Sequence, residues 1–244
     1  MIRLIEEISV NAWPALQTSL YDGWVLRFAG GFSRRSNSIL PLYPSQKEII
    51  QKIRMCESLY RERGLPTVFK ITPASDPREL DPILADEGYQ AEAETSIQLL
   101  PFEKWGGETG GDVSTQNDLA DEWLASLCEL NAYDPRHHGT VRALTALIHP
   151  PRTFASIRRE GRIVACGLGV IRNGFMSVFD IVVDAKFRRR GFGRQIMAGL
   201  LNWGKEQSAG TAFLQVMMNN PTARTMYAGL GFCEEYRYVY RVKG

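Results

Sequence analysis

The sequence predicts an α/β protein of two lobes, and three observations carry that prediction. Strand-like and helix-like patterns alternate along the 244 residues. The order helix, strand, helix, Gly-aromatic, strand occurs at 45–100 and again at 193–242, with Gly88-Tyr89 and Gly231-Phe232 in corresponding places. Between the copies lies a glycine-rich polar stretch, 103–111 (EKWGGETGG), which has the composition of a linker. A repeat this long indicates two related domains rather than a solenoid. The expected division is an N-terminal lobe at 1–102, a linker at 103–111 and a C-terminal lobe at 112–244. The same pattern also fits one mixed α/β domain whose halves match by chance.

Each element follows from its residues. Residues 24–28 (WVLRF) read as a strand that Gly30-Gly31 ends, and a second short strand follows near 36–41. Ser45 with Glu48 makes a capping box, and Ile49, Ile50, Ile53, Leu59 and Tyr60 recur at helical spacing until Gly64. Residues 66–72 form a strand. Asp76, Pro77 and Glu79 supply N-cap, N1 and N3 of a helix with Leu80, Ile83 and Leu84 inward; Gly88 breaks it, and 92–100 returns as a strand. Helices are expected at 117–131 and 139–148, and a hairpin at 152–159 and 162–171 around Glu160-Gly161. The strand at 174–183 (GFMSVFDIVV) is so apolar at its end that both faces read as buried. A basic turn at 184–193 leads to a helix at 193–206, then strand 211–218, helix 221–229 and strand 235–242.

Composition excludes several classes. Hydrophobic residues are 44% and charged residues 23%, ordinary for a globular chain with a core. The net charge of +2 gives no global field favouring nucleic acid or an anionic membrane. No apolar run reaches the roughly 20 residues of a spanning helix. The start, MIRLIEEISVNAWP, has acids where a signal peptide is apolar, so a cytoplasmic location is expected. Cys56, Cys128, Cys166 and Cys233 form no CxxC pair and read as small buried hydrophobes. Adjacent His137 and His138 cannot share a helix face as metal ligands, so no metal is expected.

The segment from Val183 to Arg194 carries the chemistry. It joins a buried strand to a helix whose inner face holds Ile196, Met197, Leu200, Leu201 and Trp203. Amides at a helix start have no internal partner, and the helix dipole places partial positive charge there. Gly191 and Gly193 lack Cβ atoms, so a diphosphate can approach those amides, and Arg189, Arg190 and Arg194 add charge. A P-loop needs GxxxxGK[ST], which is absent, and a dinucleotide GxGxxG lacks its third glycine here.

The run Arg188-Arg189-Arg190-Gly191-Phe192-Gly193 resembles the Q/R-x-x-G-x-G/A signature of the GNAT superfamily of N-acetyltransferases. The run Ile181-Val182-Val183-Asp184 before it is similar to that family's I-x-V-x-P strand end, with Ala185 where proline is common. Downstream, Asn220, Ala223, Tyr227, Gly231 and Phe232 resemble its N-x-x-A-x-x-x-Y-x-x-x-G-F segment. The resemblance covers roughly 112–244. It implies a mixed, mostly antiparallel sheet flanked by helices, acetyl-CoA as co-substrate, and direct transfer of acetyl to a primary amine. The first half resembles a degenerate second copy.

The resemblance also implies roles. The backbones of Ile181, Val182 and Val183 would pair with the pantetheine arm, Arg189 to Arg194 would bind the pyrophosphate, Asn220 would hydrogen-bond the pantetheine, and Tyr227 would protonate the leaving thiolate. Asn220 equally reads as the N-cap ahead of Pro221, and Tyr227 as a core aromatic. The general base stays open. Gln215 and Phe179 stand where family members carry glutamate, and Asp180 is adjacent, though strand alternation points it to the other face. Asp134, His137 and His138 lie in a loop of the catalytic half, and a water chain would also serve. The acceptor is a small-molecule or peptide amine, with no nucleic-acid or membrane partner, and a homodimer stays open. The alternative reading is an inert CoA-binding sensor or interaction module.

Overall fold

The computed structural model describes all residues, Met1–Gly244. The first half runs α1 (Ile2–Ala12), β1 (Gln17–Tyr21), β2 (Trp24–Phe28), β3 (Ile39–Pro41), α2 (Ile49–Arg61), β4 (Thr67–Ile71), α3 (Leu80–Asp86) and β5 (Gln90–Pro101). The second half runs β6 (Ser114–Gln116), α4 (Asp121–Leu130), α5 (His138–Ala146), β7 (Arg152–Arg159), β8 (Arg162–Arg172), β9 (Phe175–Val183), α6 (Phe192–Glu206), β10 (Thr211–Met217), α7 (Pro221–Ala228) and β11 (Cys233–Lys243). No helix is long and apolar enough to cross a membrane.

The chain forms two compact units. One holds Met1–Ile97, Met217–Asn219 and Tyr236–Gly244; the other holds Gln98–Val216 and Asn220–Glu235. This differs from a division at 102 and 112. The last strand from Tyr236 onward belongs with the first unit, because β11 pairs antiparallel with β4 from Val239↔Ile71 to Lys243↔Thr67.

The first unit's sheet runs β1-β2-β3-β4-β11-β5. One face packs α2 and α3 through Ile53, Cys56, Tyr60, Leu80 and Leu84 against Trp24, Leu26 and Phe69. The Phe69 ring meets Trp24 at 5.3 Å and Tyr89 at 5.5 Å, both edge-on, a favourable aromatic arrangement. Four elements depart from the sequence expectation. Helix α1 and strand β1 occupy a stretch left unassigned. Helix α2 starts at Ile49 rather than Ser45, because Glu48 is itself the cap and accepts from the amides of Ile50 and Gln51. Helix α3 starts at Leu80, with Glu79 rather than Asp76 in the cap position.

The second unit's sheet runs β10-β9-β8-β7-β6, antiparallel except for the parallel pair β9 and β10. Helix α6 packs one face with Ile196, Met197, Leu200 and Leu201. Helix α4 sets Trp123 against Phe154, its indole N–H donating to the Ala155 carbonyl at 2.9 Å. Cys233 is exposed, not buried as expected.

Strand β9 positions the site. Opposite β8, Cys166 pairs with Val182 and Leu168 with Phe179, so Gly167 faces both Asp180 and Ile181. That is a β-bulge, and Asp180 takes a left-handed φ of 53° within it. The bulge shifts the side-chain alternation by one. Met176 and Val178 belong to the α6-side core before it, and Ile181 and Val183 pack there after it. The parallel ladder with β10 ends at Leu214↔Val178, just ahead of the bulge. The strand's end was therefore misread as doubly buried: Asp180 to Val183 are only half-buried, because β10 no longer covers that edge.

Gly167 is required opposite the bulge. A Cβ there would stand 2.5 Å from Cγ2 of Ile196 and 2.7 Å from Cδ1 of Ile181. Gly167→Val is expected to destabilise the protein by about 1–3 kcal/mol through overpacking, read as a lower urea midpoint at unchanged slope.

Candidate active site

The end of β9, the first turn of α6 and the length of α7 line a cleft of about 890 Å³. Of the expected cofactor residues, Ile181, Val182, Val183, Arg188, Arg189, Gly191, Phe192, Gly193, Arg194, Asn220, Ala223 and Tyr227 all line it. Phe187, Pro221, Thr222, Thr225 and Met226 complete the wall. The sequence reading passed over these five. The helical spacing of Thr222, Thr225 and Met226 beside Tyr227 was the available signal.

Local chemistry sets each wall. Asp184 caps the short turn at 185–187 by accepting from the Lys186 amide at 2.8 Å, and its other oxygen pairs with Arg162 at 2.7 Å. The Asp184 amide donates to the Val164 carbonyl on β8 at 2.9 Å. Backbone groups alternate along a strand, so Val183 turns its N–H and C=O to the opposite edge. There its carbonyl accepts from Nε of Arg188 at 3.2 Å.

The chain then enters α6 through Arg189 at φ 63° and Gly191 at φ 81°. Gly191 occupies the N-cap position, no side chain caps the helix, and its first turn holds no acid. A glycine adopts this φ without the penalty of a Cβ. The amides of the first turn are thus left for an external anion.

The arginines do not act as one group. Arg188 and Arg189 line the cleft. Arg190 lies outside its lining and holds its guanidinium 5.2 Å from the Phe187 ring centre, a cation–π contact. Arg194 points its guanidinium at Glu108, with Nε 2.9 Å from Oε2 and a second contact from Nη2 to Oε1, while Nη2 also donates to the Gly229 carbonyl at 3.1 Å. The side chains of Arg190 and Arg194 are engaged by an aromatic ring and a carboxylate.

On the facing wall, Asn220 caps α7, its Oδ1 accepting from the Ala223 amide at 3.1 Å. The N-cap reading of Asn220 therefore holds, and the residue still borders the cleft. Tyr227 is 8% exposed, its ring 6.0 Å from Phe232, so it is both a core aromatic and part of the lining. Burial alone pushes its hydroxyl up to about 12.

The base candidates do not converge on the cleft. Asp180 is outside the lining. Its charge instead acts on the thiols of Cys128 and Cys166; burial first and Asp180 second push Cys166 up to about 12. Asp134 caps the turn before α5, accepting from the Arg136 amide at 3.0 Å. Phe179 is buried, on the side of β9 away from α6.

A mixed sheet whose bulged strand opens beside a glycine-started helix, with a tyrosine on the next helix, defines a GNAT-type N-acetyltransferase. The chain belongs to the family described as "Probable histone acetyltransferase Rv0428c C-terminal", whose model matches residues 1–241. It is 28% identical over 251 residues to the uncharacterized N-acetyltransferase YobR of Bacillus subtilis, covering 99% of this chain and 98% of that one. It is 27% identical over 93 residues to the ribosomal protein bS18-alanine N-acetyltransferase of Escherichia coli, covering 34% of this chain and 63% of that protein. Among solved structures, the GCN5-related N-acetyltransferase from Kribbella flavida superposes with a TM-score of 0.75 at 15% identity, over 99% of this chain and 95% of that one. A tandem GNAT protein from the clavulanic acid biosynthesis pathway gives 0.62 at 12% identity, over 98% and 87%.

The Tyr227 shift predicts an alkaline stability effect. An unfolded tyrosine ionises near ~10, whereas Tyr227 holds its proton to about 12. Its contribution is complete below ~10 and is lost as pH rises towards 12, because the unfolded chain gives up the proton first. Between those values Tyr227→Phe should unfold with a pH dependence shallower by about one proton, read from denaturant titrations across that range.

Proposed function

We propose that this protein transfers acetyl from acetyl-CoA to a primary amine by direct attack, with Tyr227 as general acid. The observation that carries this reading is the convergence of three features on one cleft. These are an uncapped α6 start, an uncovered edge at Val183, and a protonated Tyr227.

The amides of Phe192, Gly193 and Arg194 hold the pyrophosphate at the helix start, with Arg188 and Arg189 adding charge. The open edge of β9 holds the pantetheine arm as an added strand, and Asn220 offers its side-chain amide across the cleft. The Val183 N–H stabilises the oxygen that gains charge when the amine attacks. As the new C–N bond forms and the C–S bond breaks, the Tyr227 hydroxyl gives its proton to the departing sulfur. The Tyr227 hydroxyl is protonated at neutral pH, as a proton donor must be, and burial makes it a weaker acid than a free tyrosine, so its role rests on its place in the cleft. The amine's own proton leaves through solvent or through a group of the acceptor site. Holding both reactants in line supplies much of the rate.

A protein amine is the acceptor class to test first. The family description names a histone acetyltransferase, and one relative is named for the alanine of a ribosomal protein. The first unit reads as a degenerate copy without a cofactor. At the start of its α2, Glu48 takes the Ile50 and Gln51 amides, and Asp22 takes those of Gln46 and Lys47, so two carboxylates fill the place of an anion. The second reading, a CoA-binding module without turnover, is favoured by Gln215 and Phe179 at the base positions.

Free-CoA release from acetyl-CoA across peptide and small amines separates the two readings. Turnover with at least one amine is expected, and CoA binding with complete inertness would favour the second. Tyr227→Phe should lower kcat by about 10²–10⁴-fold with CoA affinity unchanged by calorimetry; unaltered kcat removes the acid role. Gly191→Glu should abolish CoA binding, since it sets a like charge at the helix start and forces a side chain to φ 81°.

A further inference from the structure

The stretch expected to be a free linker is laid along α6. The Trp105 indole N–H donates to Oδ1 of Asn202 at 3.0 Å, Nδ2 of Asn202 donates to the Glu108 carbonyl at 2.8 Å, and Nζ of Lys205 donates to the Trp105 carbonyl at 3.1 Å. The glycines permit close approach to the helix backbone. A Cβ on Gly110 would lie 3.2 Å from Cα of Gly199, and one on Gly199 would lie 2.8 Å from Val113. Glu108 of the strap then captures Arg194 on the first turn of α6, and Arg194 also holds the carbonyl of Gly229 at the C-cap of α7.

We propose that Glu108 and Arg194 form a clamp that sets the width of the cofactor cleft, with the Arg194 guanidinium a positioning group rather than a phosphate ligand. One guanidinium ties the strap, the α6 wall and the α7 wall together. The walls have little slack: a Cβ on Gly193 would come within 3.3 Å of Sδ of Met226 on α7. Glu108 supplies the charge complement that a phosphate would otherwise supply, so the guanidinium is already satisfied before any ligand enters. Its hydrogen bond pushes the already high Arg194 pKa further up. The planar fork matters because one group serves both the Glu108 carboxylate and a carbonyl, which a lysine cannot do in the same geometry.

The proposal rests on acetyl-CoA being the donor, and two readouts keep its failure distinct from that of the donor assignment. The variants are Glu108→Gln, Arg194→Gln, Arg194→Lys and the Glu108→Gln/Arg194→Gln double, all at partly exposed positions. The first readout is amide hydrogen exchange over 106–112 in CoA-free protein. The clamp predicts faster exchange to a similar degree in every variant, and unchanged exchange in Glu108→Gln overturns it whether or not CoA binds. The second readout is CoA affinity by calorimetry at low and high salt. The clamp predicts that each single variant, Arg194→Lys included, weakens binding about three- to tenfold with the wild-type salt slope, and that the double is no weaker than the singles. Tighter or unchanged binding in Glu108→Gln, rescue by Arg194→Lys, or additive losses would make Arg194 a direct phosphate ligand and overturn the clamp. Wild-type protein that binds no CoA would sink the donor assignment, leaving the exchange result to decide the clamp.

Discussion

Everything at the cleft depends on whether the first-turn amides of α6 meet a carboxylate from their own chain. Its first-turn amides have no intrahelical acceptor, so they need a partner from a cap, water or a ligand. At α2 the chain answers that need internally, with Glu48 on two amides of the helix and Asp22 on two amides just ahead of it. At α6 it places a glycine in the cap position and no acid in the first turn. The same local physics yields a closed helix start in one unit and an anion-ready one in the other. The difference lies in the residues before each helix, not in its hydrophobic face.

The second constraint is the bulge at Asp180 and Ile181. A regular β9 would keep its alternation and put Asp180 and Val182 on the α6 face. The inserted residue reverses that phase, so Ile181 and Val183 pack towards α6, and the strand emerges beyond the last β10 pair with a free edge. Gly167 makes the kink possible, since any side chain opposite it would collide with Ile181 and Ile196. Sequence that reads as a doubly buried strand end is therefore the uncovered edge of the cleft.

Much of this was legible in the residues. The Gly191-Phe192-Gly193 turn and the helix after it were found from spacing and charge, and Asn220 with Tyr227 on a later helix through the resemblance to GNAT enzymes. All three border the same cleft. What escaped were features that only tertiary contacts decide. Helix α1 opens the chain without a side-chain cap or an acid in its first turn, so it lacks a strong start signal. Periodicity cannot show a bulge, because one extra residue leaves an apolar run still apolar. The directions of Arg190 and Arg194 were invisible too, since a run of arginines beside a glycine turn looks uniformly available. The destination of each depends on Phe187 and Glu108.

The glycine-rich stretch at 103–111 shows why composition misleads here. Glycine and polar residues mark a flexible chain when nothing packs against them. The same residues are also needed wherever one backbone must lie on another, and Gly110 against Gly199 is such a place. The strap carries Trp105 as a buried anchor and Glu108 as a charge, and a purely flexible spacer has no use for either at these positions. Because Glu108 satisfies the Arg194 side chain, an anion at α6 would rest chiefly on backbone dipoles, with Arg188 and Arg189 beside them. A site built that way would recognise an anion by fit to fixed amides as well as by charge. This is consistent with a chain whose net charge is only +2.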